Sequence, residues 1–475
     1  MRRKILKQKS IMFFIGFIVL YFSIIHIMRI TGNDFWGDEC YSILNARYDL
    51  HTMLSNALLD VHPPLYECMI WVIAHLFGQT AAVYHILSWI PYVIMLVMTA
   101  TVVRKRHGTG SAILLCCMLS TMKPAIRNIT EVRMYEWAAC FVFLAFLCFE
   151  GILLYGRRYD YISFLVVTLS AAYTHSYALL GVGFLYLTLL LYGLLGNKKK
   201  RLKIILLCFG MFIGYLPWLF RLLNAFCSVG NGNFWITDTP NLKKAAMYIF
   251  DSKIRILLLF LYIVVIIEMV WKCIKKKDKE QVYFIVGSIL AVWGVYFVAY
   301  ICSKILSPML VLRYLYPVCP IAWFMLSIGV ERSRLNSRRL LMILLIGLVF
   351  ITGSESLYST IKKEKQDDAS TQRIVEAVSE NIQEDVILET NIVHLNWTVL
   401  PCYFPDKQIG MDSLESMTEM ANDRIVYLFW DHKISKEKKE MLKTAGFSID
   451  KIEKGKFARR YKVWVYKLYK TGKMV

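Results

Sequence analysis

The chain has 475 residues, 57% of them hydrophobic, with a mean hydropathy of +0.47 and a net charge of +21. That balance excludes an ordinary soluble enzyme, and apolar segments of about 17–25 residues, the length that crosses a bilayer, recur along the chain. The charge does not point to nucleic acid: the basic residues sit mostly in short runs between apolar segments, with no zinc-finger spacing and no basic helix interleaved with aromatics.

The first predicted span covers residues 11–30, behind the basic MRRKILKQK. It is too long for a signal-peptide core, lacks a small-residue cleavage pattern, and is followed by more spans. Next comes FWGDECYSILNARYDLHTMLSNALLDVHPPLY, residues 35–66. Within it Leu50–Leu59 is predicted to be helical, with Met53, Leu54, Ala57 and Leu58 on one face. Residues 63–78 are apolar but short, and are expected to lie in the membrane interface. Ten more spans are expected near 80–103, 109–125, 133–155, 160–177, 178–196, 203–222, 254–272, 281–301, 314–330 and 340–357.

The connections alternate in character. Arg104-Lys105-Arg106, Arg157-Arg158, Lys198-Lys199-Lys200-Arg201, Lys275-Lys276-Lys277 and Arg338-Arg339 fall on the side of the N-terminus. The positive-inside rule makes that side cytoplasmic. The other side receives residues 31–79, 126–132, a turn near Tyr177, 223–253, 302–313 and the chain after about 358. There the charged KKEKQDD reads as a linker. A helix (STQRIVEAVSENI), strands (DVILET and RIVYLFWD), a helix (SKEKKEMLKTAG) and a strand (FARRYKVWVYKL) follow it. The expected division is a transmembrane domain, 1–357, whose first outer loop (31–79) carries interfacial helices, and a small extracytoplasmic α/β domain, 358–475. No CxxC pair or Cys/His metal spacing occurs; Cys40 and Cys68 flank the opening motif and are candidates for pairing.

The unusual polar residues are Asp38-Glu39, Asp60 and His62, Glu131 and Arg133, His175 and Tyr177, Trp235 and Asp238, and Arg313-Tyr314. Each falls at the outer end of a span or in an outer connection. Ionisable groups there are costly unless they line a cavity, so one aqueous site at the outer boundary is expected. Lys123, Arg127, Arg133, Lys304 and Arg313 run against the positive-inside trend, which calls for acidic partners or an anionic ligand. Arg suits bidentate phosphate contacts. Carboxylates and histidine on one part, with guanidinium groups on another, suit transfer of a group away from a phosphate.

The order WGDECYS, DVHPPLY, EVRMYEW, THSYALL, LRYLYPVCP resembles bacterial polyprenyl-phosphate-dependent glycosyltransferases of the C-type (GT-C) superfamily. These are similar to protein O-mannosyltransferases and the lipid A aminoarabinose transferase. The resemblance covers residues 10–330, and the DE and HPPLY motifs together carry its specificity. Cys40, Glu67 and EVR depart from the usual pattern. The resemblance implies a polytopic α-helical protein of the bacterial cytoplasmic membrane, taking a sugar from a polyprenyl-phosphate carrier in the outer leaflet. The acceptor would be a hydroxyl of a protein, lipid or wall polymer. No nucleotide cofactor is implied, in keeping with the absence of a Gly-rich phosphate loop.

Asp38 is the candidate general base, since an acceptor hydroxyl is a poor nucleophile until its proton is removed. An oxocarbenium-like transfer from phosphate needs no enzyme nucleophile. The plainer reading makes Asp38 a helix cap. Glu39, about 100° away on a helix, is open between catalysis, orienting the acceptor and pairing with Arg133. Asp60 and His62 precede Pro63-Pro64, which disfavour helix before them. With Glu39 or His175 they are candidates for holding a divalent cation, although capping and structural roles remain open for the histidines. Arg133, Arg313 and Tyr314 are the donor-phosphate candidates. An ion pair of Arg133 with Glu136 on a shared helix, or snorkelling by Arg313, are the alternatives. Glu131, Tyr177, Trp235 and Asp238 are candidates for touching sugar or acceptor.

Three other classes compete. A transporter or flippase needs polar groups through the membrane depth, whereas the span middles here are nearly bare. A ligase or polymerase of lipid-linked saccharides has no evident need of DE near 38 and HPP near 62. A scaffold for the outer domain leaves the acidic pair unexplained.

Overall fold

The computed structural model of the chain describes residues 2–154, 156–229, 238–334, 337–380, 386–411, 421 and 424–471. The chain forms two compact units. One comprises Met1–Arg29, Leu54–Met69 and His85–Tyr358; the other comprises Ile30–Met53, Ile70–Tyr84 and Ser359–Val475.

The first unit is helical. Among the described residues of the chain, eight helices are long and apolar enough to cross a membrane: Ala81–His107, Tyr135–Leu154, Ser176–Gly196, Lys198–Asn224, Arg255–Lys276, Lys279–Ile305, Leu312–Glu331 and Arg338–Ser379. The expected spans near 109–125 and 160–177 are shorter helices, Thr109–Thr121 and Arg158–Thr174. Thr109–Thr121 and Cys319–Glu331 are buried on nearly every side, as all-round apolar helices must be. Phe143, Phe146, Phe284 and Phe324 form an aromatic knot with centroid separations of 5.3–6.4 Å. Trp323 Nε1–H donates to the Ile249 carbonyl at 2.8 Å. The run Arg104-Lys105-Arg106 also leads into a buried ion-pair cluster. Arg106 Nη1 lies 2.8 Å from Glu150 Oε2, and His107 Nε2 lies 2.8 Å from Glu150 Oε1. A buried carboxylate requires such partners.

Among the described residues, the second unit is built on a five-stranded sheet of order β2-β1-β3-β5-β4. Its strands are β1 (Val386–Thr390), β2 (Gln408–Gly410), β3 (Ile425–Trp430), β4 (Phe447–Phe457) and β5 (Tyr461–Lys470). β1 runs parallel to β2 and β3, whereas β5 is antiparallel to β3 and β4. β1 is buried throughout, as an interior parallel strand is. Helix Lys436–Thr444 starts at Ser435, whose side chain accepts from Lys438 N–H. Two expectations change here. The single strand foreseen over FARRYKVWVYKL is the end of β4, a turn at Ala458–Arg460, and β5. The KKEKQDD linker lies within one 42-residue helix, Arg338–Ser379, and the two units divide inside that helix, between Tyr358 and Ser359. Lys, Glu and Gln are good helix formers, and charge alone does not end a helix.

Three helices follow the first apolar segment: α2 (Gly37–Arg47), α3 (Leu50–Leu59) and α4 (Leu65–Phe77), numbered after α1 (Arg2–Ile27). α3 and α4 stand where the apolar periodicity placed them. On α3, Met53 and Ala57 are buried while Leu54 and Leu58 are exposed, so the apolar face is narrower than the pattern suggests.

Candidate functional site

The acidic pair belongs to the second unit. Trp36 is the cap residue of α2, in extended backbone, and Asp38 and Glu39 occupy the first turn, where the helix dipole favours negative charge. Glu39 Oε2 accepts the Trp36 N–H at 3.1 Å, the returning half of a capping box. The capping role considered for Asp38 therefore falls to Glu39. Glu39 is fully buried, while Asp38 is half-buried. Glu39 also ion-pairs with Arg459 Nη1 at 3.4 Å, a partner the sequence reading did not name. Asp34, missed there too, is buried and accepts from the Thr371 hydroxyl at 2.6 Å and from Arg459 N–H at 3.0 Å. Tyr461 stands near Asp38: burial, then Cys40 and Asp38, pushes its phenol up to about 12.

Cys40 and Cys68 fall in different units and both are free thiols; Cys402 stands beside Cys40. The Cys40 Sγ–H also reaches the Phe35 carbonyl at 3.4 Å. A basic cleft of about 330 Å³, lined by Lys454, Gly455, Lys456, Arg460 and Lys462, lies in the same unit.

The histidines and arginines belong to the first unit. His175 sits in extended backbone (φ −157°) between helices Arg158–Thr174 and Ser176–Leu191. Its Nδ1 accepts the Tyr177 N–H at 3.1 Å. That bond assigns the ring proton to Nε2, which is buried and has no hydrogen-bond partner among the described residues. Burial, with His62, Arg133 and Arg313 adding, holds His175 well below the usual histidine pKa. The ring is therefore neutral and a donor. Rings surround it: His62 is stacked at 5.5 Å, Tyr314 lies at 5.3 Å, Tyr135 at 5.5 Å and Tyr177 at 5.7 Å.

Arg313 lies 5.7 Å from the Tyr135 ring centre and 5.6 Å from that of Tyr314, a cation–π setting. Arg133 precedes helix Tyr135–Leu154 and ion-pairs with Glu67 at 3.6 Å, both side chains being buried. The expected alternative, a pair of Arg133 with Glu136 on one helix, is displaced by this geometry, because Glu136 accepts the Tyr316 hydroxyl at 2.6 Å. Glu67, a departure from the family pattern, thus meets Arg133. Burial pushes the Asp60 carboxyl up while Arg133 and Arg221 pull it down, and its Oδ1 accepts Val61 N–H at 2.6 Å. Glu131 pairs with Arg127 at 3.5 Å. The hydroxyl of Tyr177 is given to the Met309 carbonyl at 2.9 Å.

Asp238 is exposed and pairs with Lys244 at 3.2 Å; Trp235 lies outside the described residues. Asp60, His62 and His175 are not gathered into a three-ligand group among the described residues. The donor set does not fit a divalent cation either: His175 offers a proton-bearing Nε2, while its Nδ1 is taken by a backbone N–H. What the first unit does bring together is two guanidinium groups, a neutral imidazole N–H and the Tyr135 hydroxyl, itself buried without a described partner. Such a set of donors suits an anion rich in oxygen.

No protein-family model and no curated protein sequence matches the chain. Two solved structures of ArnT from Cupriavidus metallidurans are similar to it. The apo structure shares 12% identity at a TM-score of 0.62, covering 96% of this chain and 97% of ArnT. The structure bound to undecaprenyl phosphate shares 13% identity at a TM-score of 0.59, covering 96% and 98%. The likeness runs the length of both proteins, and the chain has the fold of ArnT.

Proposed function

We propose that this chain is a membrane glycosyltransferase that moves a sugar from a polyprenyl-phosphate carrier to an acceptor hydroxyl, on the outer face of the bacterial cytoplasmic membrane. The observation that carries the reading is the cluster of Arg133, Arg313 and the His175 Nε2–H donor, in a fold whose ArnT relative has been solved with undecaprenyl phosphate. Arg133 and Arg313 hold the carrier phosphate, and His175 and Tyr135 supply neutral donors to its oxygens as charge builds on the leaving group. His62, Tyr314 and Tyr177 line the cluster. Asp38 takes the acceptor proton. The acceptor oxygen bonds to the anomeric carbon, the bond from that carbon to the phosphate oxygen breaks, and polyprenyl phosphate leaves with the electron pair. No step is assigned to a metal ion. The basic runs support an N-terminus inside and residues 358–475 outside.

The test is incubation of purified protein in detergent with a panel of polyprenyl-phosphate sugars and acceptors, following free polyprenyl phosphate. Donor-dependent release is expected. No release from any donor, together with carrier affinity unchanged in Arg133→Ala and Arg313→Ala, would overturn the proposal. Orientation is read separately, by labelling single cysteines in intact cells. Labelling is expected at Lys433→Cys and protection at Lys276→Cys, and the reverse pattern removes the outward site.

A further inference from the structure

We propose that Arg459, at the tip of the β4–β5 hairpin, is a positioning residue that fixes the start of α2 and so aims Asp38. The connection between the strands places Ala458 (φ 50°) and Arg459 (φ 57°) in the left-handed region without a glycine. Hairpins that need this conformation favour Gly, Asn or Asp, and side chains there persist only where their surroundings over-determine them. The surroundings are the residues that precede and begin α2. Ala458 N–H donates to the Thr371 hydroxyl at 3.0 Å, and that hydroxyl donates to Asp34 Oδ1 at 2.6 Å. Arg459 N–H donates to the same Oδ1 at 3.0 Å. The Arg459 side chain then spans both acids, with Nε 3.8 Å from Asp34 Oδ2 and Nη1 3.4 Å from Glu39 Oε2. The next residue, Arg460, lies 3.2 Å over the Trp36 ring, the cap residue of α2.

The rest of the segment is tied by the same domain. The Tyr403 hydroxyl accepts Phe35 N–H at 2.6 Å and donates to the Asn33 carbonyl at 2.9 Å. Arg47 Nη1 donates to the Cys402 carbonyl at 2.9 Å. A side chain on Gly37 would come within 2.8 Å of the Tyr461 hydroxyl. Asp34 and Glu39 thus hold the segment on which the half-exposed Asp38 sits. Sequence neighbours on the helix have separate jobs, and the residue that divides them comes from the far end of the chain.

The catalytic part of this inference rests on the proposed role of Asp38; the positioning part does not, and the experiment separates them. Arg459→Gly removes the guanidinium while suiting the left-handed backbone, so loss of effect through misfolding is minimised. Arg459→Lys restores a charge. Two readouts are taken on purified full-length protein: hydrogen exchange of the amides of residues 36–40, and steady-state transfer from a polyprenyl-phosphate sugar. In Arg459→Gly, exchange at 36–40 is expected to quicken by about tenfold or more. Transfer kcat should fall roughly 10- to 100-fold with the donor KM within about twofold, and Arg459→Lys should recover part of both. Unchanged exchange in Arg459→Gly overturns the proposal. So does wild-type kcat in that variant of an active enzyme. Should wild type transfer no sugar while exchange still quickens, the glycosyltransferase reading falls and the positioning role of Arg459 stands.

Discussion

The start of α2 and the cluster around His175 are both rich in ionisable groups, yet the protein treats them in opposite ways. In the second unit Asp34 and Glu39 share the guanidinium of Arg459, and Glu39 also closes its own helix. In the first unit donor capacity remains after the internal pairs are made, because His175 Nε2–H and the Tyr135 hydroxyl are buried with no described acceptor. Buried polar groups are nearly always satisfied. Under the proposed function, the start of α2 positions a base and the His175 cluster, with donors to spare, receives the carrier phosphate.

The sharpest way to break the comparison is Asp38→Asn. Asparagine keeps size and most hydrogen bonding but takes no proton. Under the proposed role, turnover falls by about 100-fold or more, the scale of general-base catalysis, while carrier binding by the purified variant changes little. Near-normal transfer would make Asp38 one more structural acid, like Glu39.

Replacement of the guanidinium groups comes next. Arg133→Lys and Arg313→Lys keep charge but lose the planar fork. Each is expected to weaken carrier-phosphate binding roughly tenfold, a charge-assisted hydrogen bond being worth about 1.5–3 kcal/mol. Titration with polyprenyl phosphate reads this, and equal affinities would mean that the cluster is an internal ion-pair network. For Arg133 that alternative has a visible partner in Glu67.

Gly37→Ala is a finer probe of the acidic region. Its new methyl would sit 2.8 Å from the Tyr461 hydroxyl. Overpacking of this kind costs about 1–3 kcal/mol, so a several-fold loss of turnover is expected. The double variant Gly37→Ala/Tyr461→Phe should regain most of it. Failure of that rescue would detach α2 from the hairpin that is said to place it.

The smallest effect concerns pH. Because the folded-state pKa of His175 is depressed, the unfolded chain binds the proton more readily. Stability is then fully present above the ordinary histidine pKa of about 6.5 and is lost as pH falls below it, at no more than about 1.4 kcal/mol per pH unit. In His175→Asn, which keeps a capping acceptor for Tyr177 N–H, the melting temperature should fall less steeply between pH 7 and 5. A slope identical to wild type would show that His175 is not held neutral.

Much of the architecture follows from local sequence alone. Apolar length marks the spans, period marks α3, and Ser435 begins the helix after β3 by supplying the missing acceptor. The polar stretches DVHPPLY and LRYLYP could be singled out because charge near a membrane is costly. β2 and β4 escaped detection: one has three residues, and the other, FSIDKIEKGKF, is half-exposed and heavily charged, so neither shows clean alternation. Glu39 could be recognised as unusual, but its work could not. Its partner Arg459 lies on a hairpin at the other end of the chain, and no periodicity reports which distant carboxylate an arginine will meet. The same holds for Cys40 with Cys402 and for Arg133 with Glu67. Sequence determined which groups were too costly to be there without reason, because that cost is set by each residue and its immediate neighbours. The tertiary structure alone decided which of those charges neutralise one another, because that depends on chain segments brought together only by folding.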